Sequence, residues 1–273
     1  MSPHLSPSLV SSHQRTVADV LFGLEFPPIS HLLVWPSFGP FGFNKIALIS
    51  VLALLITCVI FFLAGKGNAN EAPTGVRNLA ESSIDFIQNG IIMQTMGRDG
   101  LGWTPMFLSM FFFIFLTNIT GIIPVLQMPA NARMAAPLCL ALLVWVLYNG
   151  AGMKHQGVGG YFKSVLFPPG VPKALYILVT PIEFISNILV RPFSLAVRLF
   201  ANLLAGHILL VTFAVLANAL LTADSPALVP VGVLPIVMLV FLTGFEVLVA
   251  FLQAYIFTIL AAVYIGGAVH PEH

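Results

Sequence analysis

The side chains in this sequence that could do chemistry are ionisable groups inside long apolar runs of its second half. Arg198 is surrounded by Leu, Val and Phe, and Glu246 lies in a similar run. A charge at the centre of a bilayer costs about 2.5 to 3.5 kcal/mol on insertion scales, so it needs a partner or a function. A guanidinium stays protonated at physiological pH, so Arg198 can attract a carboxylate and repel a cation but cannot pass on a proton. These properties suit a gate between two proton paths.

Arg198 belongs to a polar stripe on one predicted helix, residues 173–222. At about 100° per residue, its members lie within roughly 60° of the Arg198 direction and extend over about 28 Å, comparable with the membrane core. The alternative is that Arg198 pairs with an internal acid such as Glu183 and only fixes helix packing. Arg191 either contributes to the stripe or extends to the interface. The stripe consists of Glu183, Asn187, Arg191, Ser194, Arg198 and Asn202.

A second set of polar residues comprises His207, Glu246 and Gln253. An imidazole changes protonation near neutral pH, and together with a membrane carboxyl group it can pass protons through water. His207 follows Arg198 by nine residues, about 180° around a straight helix, so we expect it to line a different surface. Gln253 shares a helix face with Glu246 and Tyr264, where it can hold water or contact Arg198. For each of these residues, a hydrogen bond that only joins helices is the alternative.

The composition indicates an all-α integral membrane protein. Of the 273 residues, 58% are hydrophobic and 8% are charged, whereas a soluble domain has about 25% charged residues. The sequence has no run of basic residues that could bind along a nucleic-acid backbone, so we expect membrane lipid and no nucleic acid as a partner. Cys58 and Cys139 have no neighbouring Cys or His at metal-ligand spacing, and we expect neither a metal nor another cofactor.

Hydropathy predicts about five membrane helices and one amphipathic helix on the membrane surface. The amphipathic segment, residues 71–96, is either a simple connector or a docking helix for a partner. Segments 103–125 and 138–151 are predicted to form a hairpin, and the last two helices are longer than a perpendicular span requires, which indicates a second, tilted hairpin. The five predicted spans are 45–64, 103–125, 138–151, 173–222 and 231–268.

We predict a single membrane domain over residues 1–273. It has an N-terminal arm (1–43), the first spans and hairpin (44–152), and the long helix pair (173–268). No secretory signal peptide is evident in the arm. Positive charges follow the first span and the hairpin, which predicts an outside N-terminus and a cytoplasmic C-terminus. These charges are Lys66, Arg77, Arg98, Lys154 and Lys163.

The string Arg-Leu-Phe-Ala-Asn-Leu-Leu-Ala-Gly-His at 198–207 resembles the signature of subunit a of the F-type ATP synthases. Gln-Ala-Tyr-Ile-Phe at 253–257, Pro-Ile-Glu at 181–183 and Thr-Asn at 117–118 are similar to other family motifs. The resemblance covers roughly residues 75–270. It implies a proton-translocating subunit that works with a rotating ring of subunit c, the peripheral stalk subunit b and other synthase subunits.

The resemblance implies that Arg198 separates two half-channels that lead to the ring. The inlet would contain Asn202, His207, Glu246 and Gln253, and the outlet Glu183, Asn187 and Arg191. Many bacterial members have an acid at the position of His207 and a histidine at that of Glu246. Here the pair is exchanged, as in mitochondrial relatives, which preserves an acid and an imidazole.

The sequence contains no Gly-rich nucleotide loop ending in Lys-Ser/Thr, so we expect ATP chemistry to belong to partner chains and this chain not to be catalytic alone. We expect the bacterial inner membrane as its location. Competing interpretations are a self-contained transporter, which usually has repeated halves that are not evident here, and a structural anchor, in which Arg198 would be dispensable. A sodium-driven version of the same machine is a further alternative.

Overall fold

The computed structural model describes residues 45–66, 74–123, 134–167, 172, 175–223 and 228–269. The predicted N-terminal arm lies outside these residues. Throughout the described ranges the chain forms helices and turns without a strand, which confirms the all-α prediction. The α-helices are α1 (Lys45–Gly65), α2 (Val76–Ile87), α3 (Thr104–Ile119), α4 (Ala135–Gln156), α5 (Val158–Leu166), α6 (Tyr176–Ile185), α7 (Arg191–Leu221) and α8 (Val229–Val269).

Five helical segments among the described residues are long and apolar enough to cross a membrane, as predicted. The third is longer than the predicted 138–151. Pro137 is tolerated in its first turn, and Gly150 and Gly152 do not end it, because backbone groups in lipid must be paired within the helix. The segments are Ile46–Gly65, Gly97–Ile119, Ala135–Gln156, Tyr176–Leu221 and Val229–Val269.

Helices α7 and α8 form the predicted hairpin and pack along each other extensively. Helix α6 leads into α7 through a π-helical segment, Ser186–Val190. A second such segment, Gln88–Ile92, follows α2, and a short helical turn, Met93–Thr95, and a 3₁₀ helix, Gly97–Trp103, connect it to α3.

The predicted hairpin of the second and third spans is corrected by the structure. Helix α3 packs mainly against α8, and α4 packs against both α7 and α8, rather than against each other. The buried face of α8 has small residues, including Ala254, Ala261 and Ala262, which are fully buried. Small residues let helix backbones approach closely in a membrane. Helix α8 therefore serves as the common support for α3, α4 and α7.

Helix α2 is amphipathic, as predicted, and is not one of the candidate spans. It buries Ala80 and Ile87, while Arg77 Nε donates to Glu81 Oε1 over 2.8 Å on its outer face. The Phe86 ring contacts Phe111, Phe251 and Tyr255. These aromatic contacts fix α2 against α3 and α8. Partner docking by α2 stays a prediction.

Enlarging a small residue on the buried face of α8 should weaken the fold. We expect Ala261→Leu to destabilise the protein by about 1 to 3 kcal/mol, because overpacking forces neighbouring side chains out of their preferred rotamers. The matched control is Ala214→Leu, which adds the same side chain at an exposed position of α7. The measurement is the melting temperature of the purified protein, followed by circular dichroism. Equal temperatures for the two variants would contradict the packing described here.

Candidate functional site

Helix α7 has an exposed polar face and a buried face at the same depth. Arg198 and Asn202 are exposed, whereas Leu199, Leu203 and His207 are buried. His207 therefore lies on a different surface from Arg198, as the helical spacing predicts. In residues 175–223 and 228–269 the Arg198 guanidinium has no hydrogen bond or ion pair, so the predicted alternative of a pair with Glu183 is not what the structure has.

The single straight stripe predicted from Glu183 to Asn202 is wrong. Asn187 is buried, and Glu183 and Arg191 are half-buried, while the later members of the stripe are exposed. For Glu183 and Asn187 the cause is the π segment, in which the Arg191 amide donates to the Ser186 carbonyl, whereas Arg191 follows that segment and is covered by its contact with Tyr264 of α8. A π turn contains more residues than an α turn and changes the angular phase of everything that follows. Two separate polar surfaces result.

The first surface lines a cavity of about 330 Å³, here called the Arg191 cavity. Its walls come from α4, α5, α6, the π segment that follows α6, α7 and α8. Its polar lining residues are Gln156, Tyr161, Ser164, Glu183, Asn187, Arg191 and Tyr264. The three side chains predicted for the outlet thus share one cavity.

Polar contacts hold these three side chains in place. Asn187 Nδ2 donates to the Glu183 carboxylate over 3.3 Å, and the Tyr148 hydroxyl of α4 donates to the Asn187 carbonyl. The Arg191 guanidinium carbon lies 5.2 Å from the centre of the Tyr264 ring, a cation–π arrangement. Arg191 therefore faces α8 and the cavity rather than extending to the interface.

The second surface lines a cavity of about 340 Å³ between α7 and α8, here called the Glu246 cavity. Asn202, Gly206 and Glu246 lie on its wall together with apolar residues. Glu246 is only 7% exposed, and its Oε2 atom is buried without a hydrogen-bond partner in the described residues. A buried, unsatisfied carboxyl oxygen is rare and calls for an explanation. Its position beside a cavity suits exchange of a proton with water.

Gly206 sets the distance between the two helices at this point. A Cβ atom at Gly206 would lie 2.7 Å from Glu246 Oε1, so any residue larger than glycine would displace the carboxyl group. His207, the next residue, is 7% exposed. The structure has no direct hydrogen bond between His207 and Glu246. Proton transfer between them would therefore need water.

Gln253 is buried and lies seven residues beyond Glu246, about 10 Å along α8. No hydrogen bond joins it to Arg198 in the described residues, so the predicted direct contact is absent. The predicted shared face with Glu246 is present, since both side chains are buried against the body of the protein.

Arg198 lies between the two cavities along α7. Arg191 precedes it by seven residues and Gly206 follows it by eight, about 10 Å and 12 Å at 1.5 Å per residue. The linings of the two cavities have no residue in common. A cavity thus lies on each side of Arg198 along α7, and Arg198 lines neither of them.

Sequence reasoning did not single out Gly206, Tyr148 or Gln156. A glycine inside an apolar helix next to a polar residue is a signal for close helix approach, so Gly206 could have been found. The other two lie on α4, and nothing in the spacing of that helix relates them to residues that are far away in sequence.

Five candidate spans, an exposed arginine on one of them and a cavity on each side of it are the features of a polytopic membrane protein of the ion-translocating class. The family model described as ATP synthase A chain matches residues 47–266. The subunit a of Frankia alni is 44% identical over 232 residues, covering 84% of this chain and 79% of that protein. Subunit a of Nocardioides sp. is 41% identical, covering 85% and 84%, and that of Streptomyces lividans is 37% identical, covering 92% and 90%.

The chain therefore belongs to the ATP synthase subunit a family, the proton-channel subunit of the membrane sector of the F-type synthase. It is one subunit of that complex and a multi-pass membrane protein.

Displacing the Glu246 carboxyl group should reduce proton flow without unfolding the protein. We expect Gly206→Ala to lower proton flux about 10- to 100-fold, the scale on which small misplacements of a reacting group act. The added methyl group meets the end of a flexible side chain, so assembly should persist. Gly244→Ala is the matched control, because a Cβ there meets nothing within 4 Å. Equal flux in the two variants would show that the close approach has no role.

Proposed function

We propose that this chain conducts protons through two half-channels that meet a rotating ring of subunit c at Arg198. The observation that carries the proposal is the pair of cavities on opposite sides of the exposed Arg198, which share no lining residue. A continuous pore would let protons cross without turning a rotor. Two separate cavities force a proton to travel on another chain between them.

The Glu246 cavity is the inlet in this proposal. A proton from outside would reach Glu246 and His207 through water and pass Asn202 to a carboxylate of the ring. Asn202 is exposed next to Arg198 and also lines the cavity, so it lies where the inlet meets the ring. Gln253, buried further along α8, would hold water between the inlet and Arg198.

Arg198 is the gate because its charge is permanent. As a ring carboxylate arrives, the guanidinium favours the ionised form and so drives the proton off. The same charge repels a proton that would otherwise cross directly between the cavities. An exposed position on the helix hairpin is what contact with another membrane subunit requires.

The Arg191 cavity is the outlet. Glu183 and Asn187 offer oxygen acceptors there, and Arg191 disfavours the retention of a cation. The cavity lies at the end of α8, and its lining residues on α4 and α5 are close in sequence to Lys154 and Lys163. These positive charges favour a cytoplasmic location for this end of the protein. This assignment places the N-terminus outside and the C-terminus in the cytoplasm.

The remaining partners follow from the family. Protein subunits of the same complex, including the stalk subunit b and the ring, would surround this single membrane domain, and catalysis of ATP synthesis would lie in other chains. One proton crossing 100 mV supplies about 2.3 kcal/mol, so this chain provides a route and the ion gradient provides the energy. Frankia alni, Nocardioides sp. and Streptomyces lividans are bacteria, which supports a bacterial inner membrane.

Replacing Arg198 tests the gate. We expect Arg198→Ala to abolish ATP-driven proton pumping in vesicles that contain the assembled complex, because no permanent charge drives the proton off the ring. Passive proton leak should stay or rise. Normal pumping would mean that Arg198 contributes only to packing, and it would favour the interpretation of the protein as a structural anchor. Ser194→Ala, at an exposed position on the same helix, is the control.

The acid and imidazole of the inlet should be exchangeable. We expect the double change His207→Glu and Glu246→His to retain more proton flux than His207→Leu or Glu246→Leu alone, because it preserves both titrating groups. Flux is measured in vesicles after removal of the catalytic sector. The relay is wrong if the double exchange is inactive while both leucine variants conduct.

A further inference from the structure

The short helix α5 covers one side of the Arg191 cavity and is held there by hydrogen bonds to α4 and α6 and by packing of Tyr161. Tyr161, Ser164 and Val165 face the cavity, whereas Phe162 and Lys163 are exposed. Helix α5 follows α4 through Gly157, whose φ of +71° reverses the chain in a conformation that favours glycine. The helix thus folds back onto the protein as a flap over the cavity.

Gln156, the last residue of α4, joins this flap to the end of α8. Its Nε2 atom donates to the Ala268 carbonyl over 2.7 Å, and its Oε1 atom accepts from Ser164 Oγ over 2.8 Å. Ala268 lies in the last turn of α8, where backbone carbonyls lack partners within the helix. A single amide group therefore connects α4, α5 and the end of α8.

Tyr161 supplies the second attachment. Its side chain is buried and its hydroxyl donates to Asn149 Oδ1 over 2.9 Å. The ring lies against Gly152, where a Cβ would come within 2.4 Å of it and within 3.2 Å of the Ala268 carbonyl. Burial raises the pKa of the Tyr161 hydroxyl, which keeps it a hydrogen-bond donor.

We propose that Gln156 is a positioning residue for proton release: its amide holds α5 on the end of α8, so that the Arg191 cavity keeps the width that water and a proton need. The proposal rests on the outlet role of that cavity. Gln156 does not titrate and transfers no proton. It acts through the position of α5, and the ionisable side chains that line the same cavity are Glu183, Arg191, Tyr161 and Tyr264.

The test replaces Gln156 in the complete complex and measures proton flux through vesicles, relative to the unchanged protein at each cytoplasmic pH. Gln156→Leu, which loses both hydrogen bonds, should lower flux about threefold to tenfold at every pH, the range expected for losing one modest hydrogen bond or slightly more. Lys163→Gln, on the exposed side of α5, is the matched control and should leave flux unchanged.

The Gln156→Glu variant distinguishes a positioning role of residue 156 from a general loss of structure. A protonated carboxyl group can donate to the Ala268 carbonyl, whereas a carboxylate cannot. Relative flux should therefore approach that of the unchanged protein as the cytoplasmic side is acidified and fall as its pH rises. One assembled sample serves at every pH, so the test stands even if Gln156→Leu does not assemble.

Either of two results would overturn the proposal: unchanged flux in Gln156→Leu, or a reduction in Gln156→Glu that is the same at every pH. Arg198→Ala vesicles are measured in parallel. ATP-driven pumping in those vesicles would refute the proposed function itself. Loss of ATP-driven pumping in Arg198→Ala, together with unaffected flux in the Gln156 variants, would refute the positioning role alone.

Discussion

A guanidinium that keeps its proton, fixed at membrane depth, is the constraint on which the rest of the structure depends. Helix α7 exposes Arg198 on its outer face and buries the opposite face against α8 and α4. Such a charge is costly in hydrocarbon, so the exposed face has to meet another polar group within the membrane. The long hairpin of α7 and α8, supported by α3 and α4, is the scaffold that presents it.

Two local departures from ideal helix packing create the polar space on either side of that charge. The π segment at Ser186–Val190 shifts the angular position of Glu183 and Asn187, which line the Arg191 cavity instead of the outer face. Gly206 lets α8 approach until the Glu246 carboxyl group lies against the backbone of α7. A straight helix with an alanine at 206 would have neither arrangement. The geometry of the proton route therefore rests on irregular backbone as well as on titrating side chains.

The number and type of the membrane helices could be predicted because hydropathy and length depend on local sequence alone. The opposite placement of Arg198 and His207 followed from helical spacing, since no irregularity lies between them. The continuous stripe through Glu183 failed, because a single π turn changes the phase of a helix without a clear local signal. The supports from Tyr148 and Gln156 depend on contacts with helices distant in sequence, which periodicity does not contain.

The most direct test of two separate routes is the labelling of single cysteines from each side of the membrane, in a protein whose Cys58 and Cys139 have been replaced. Ala205→Cys lies in the Glu246 cavity and Val165→Cys in the Arg191 cavity, while Leu54→Cys is an exposed position of α1 that serves as a lipid-facing control. A membrane-impermeant thiol reagent should modify position 205 only from outside and position 165 only from the cytoplasm, leaving the control unmodified. Modification of both positions from the same side would contradict the account.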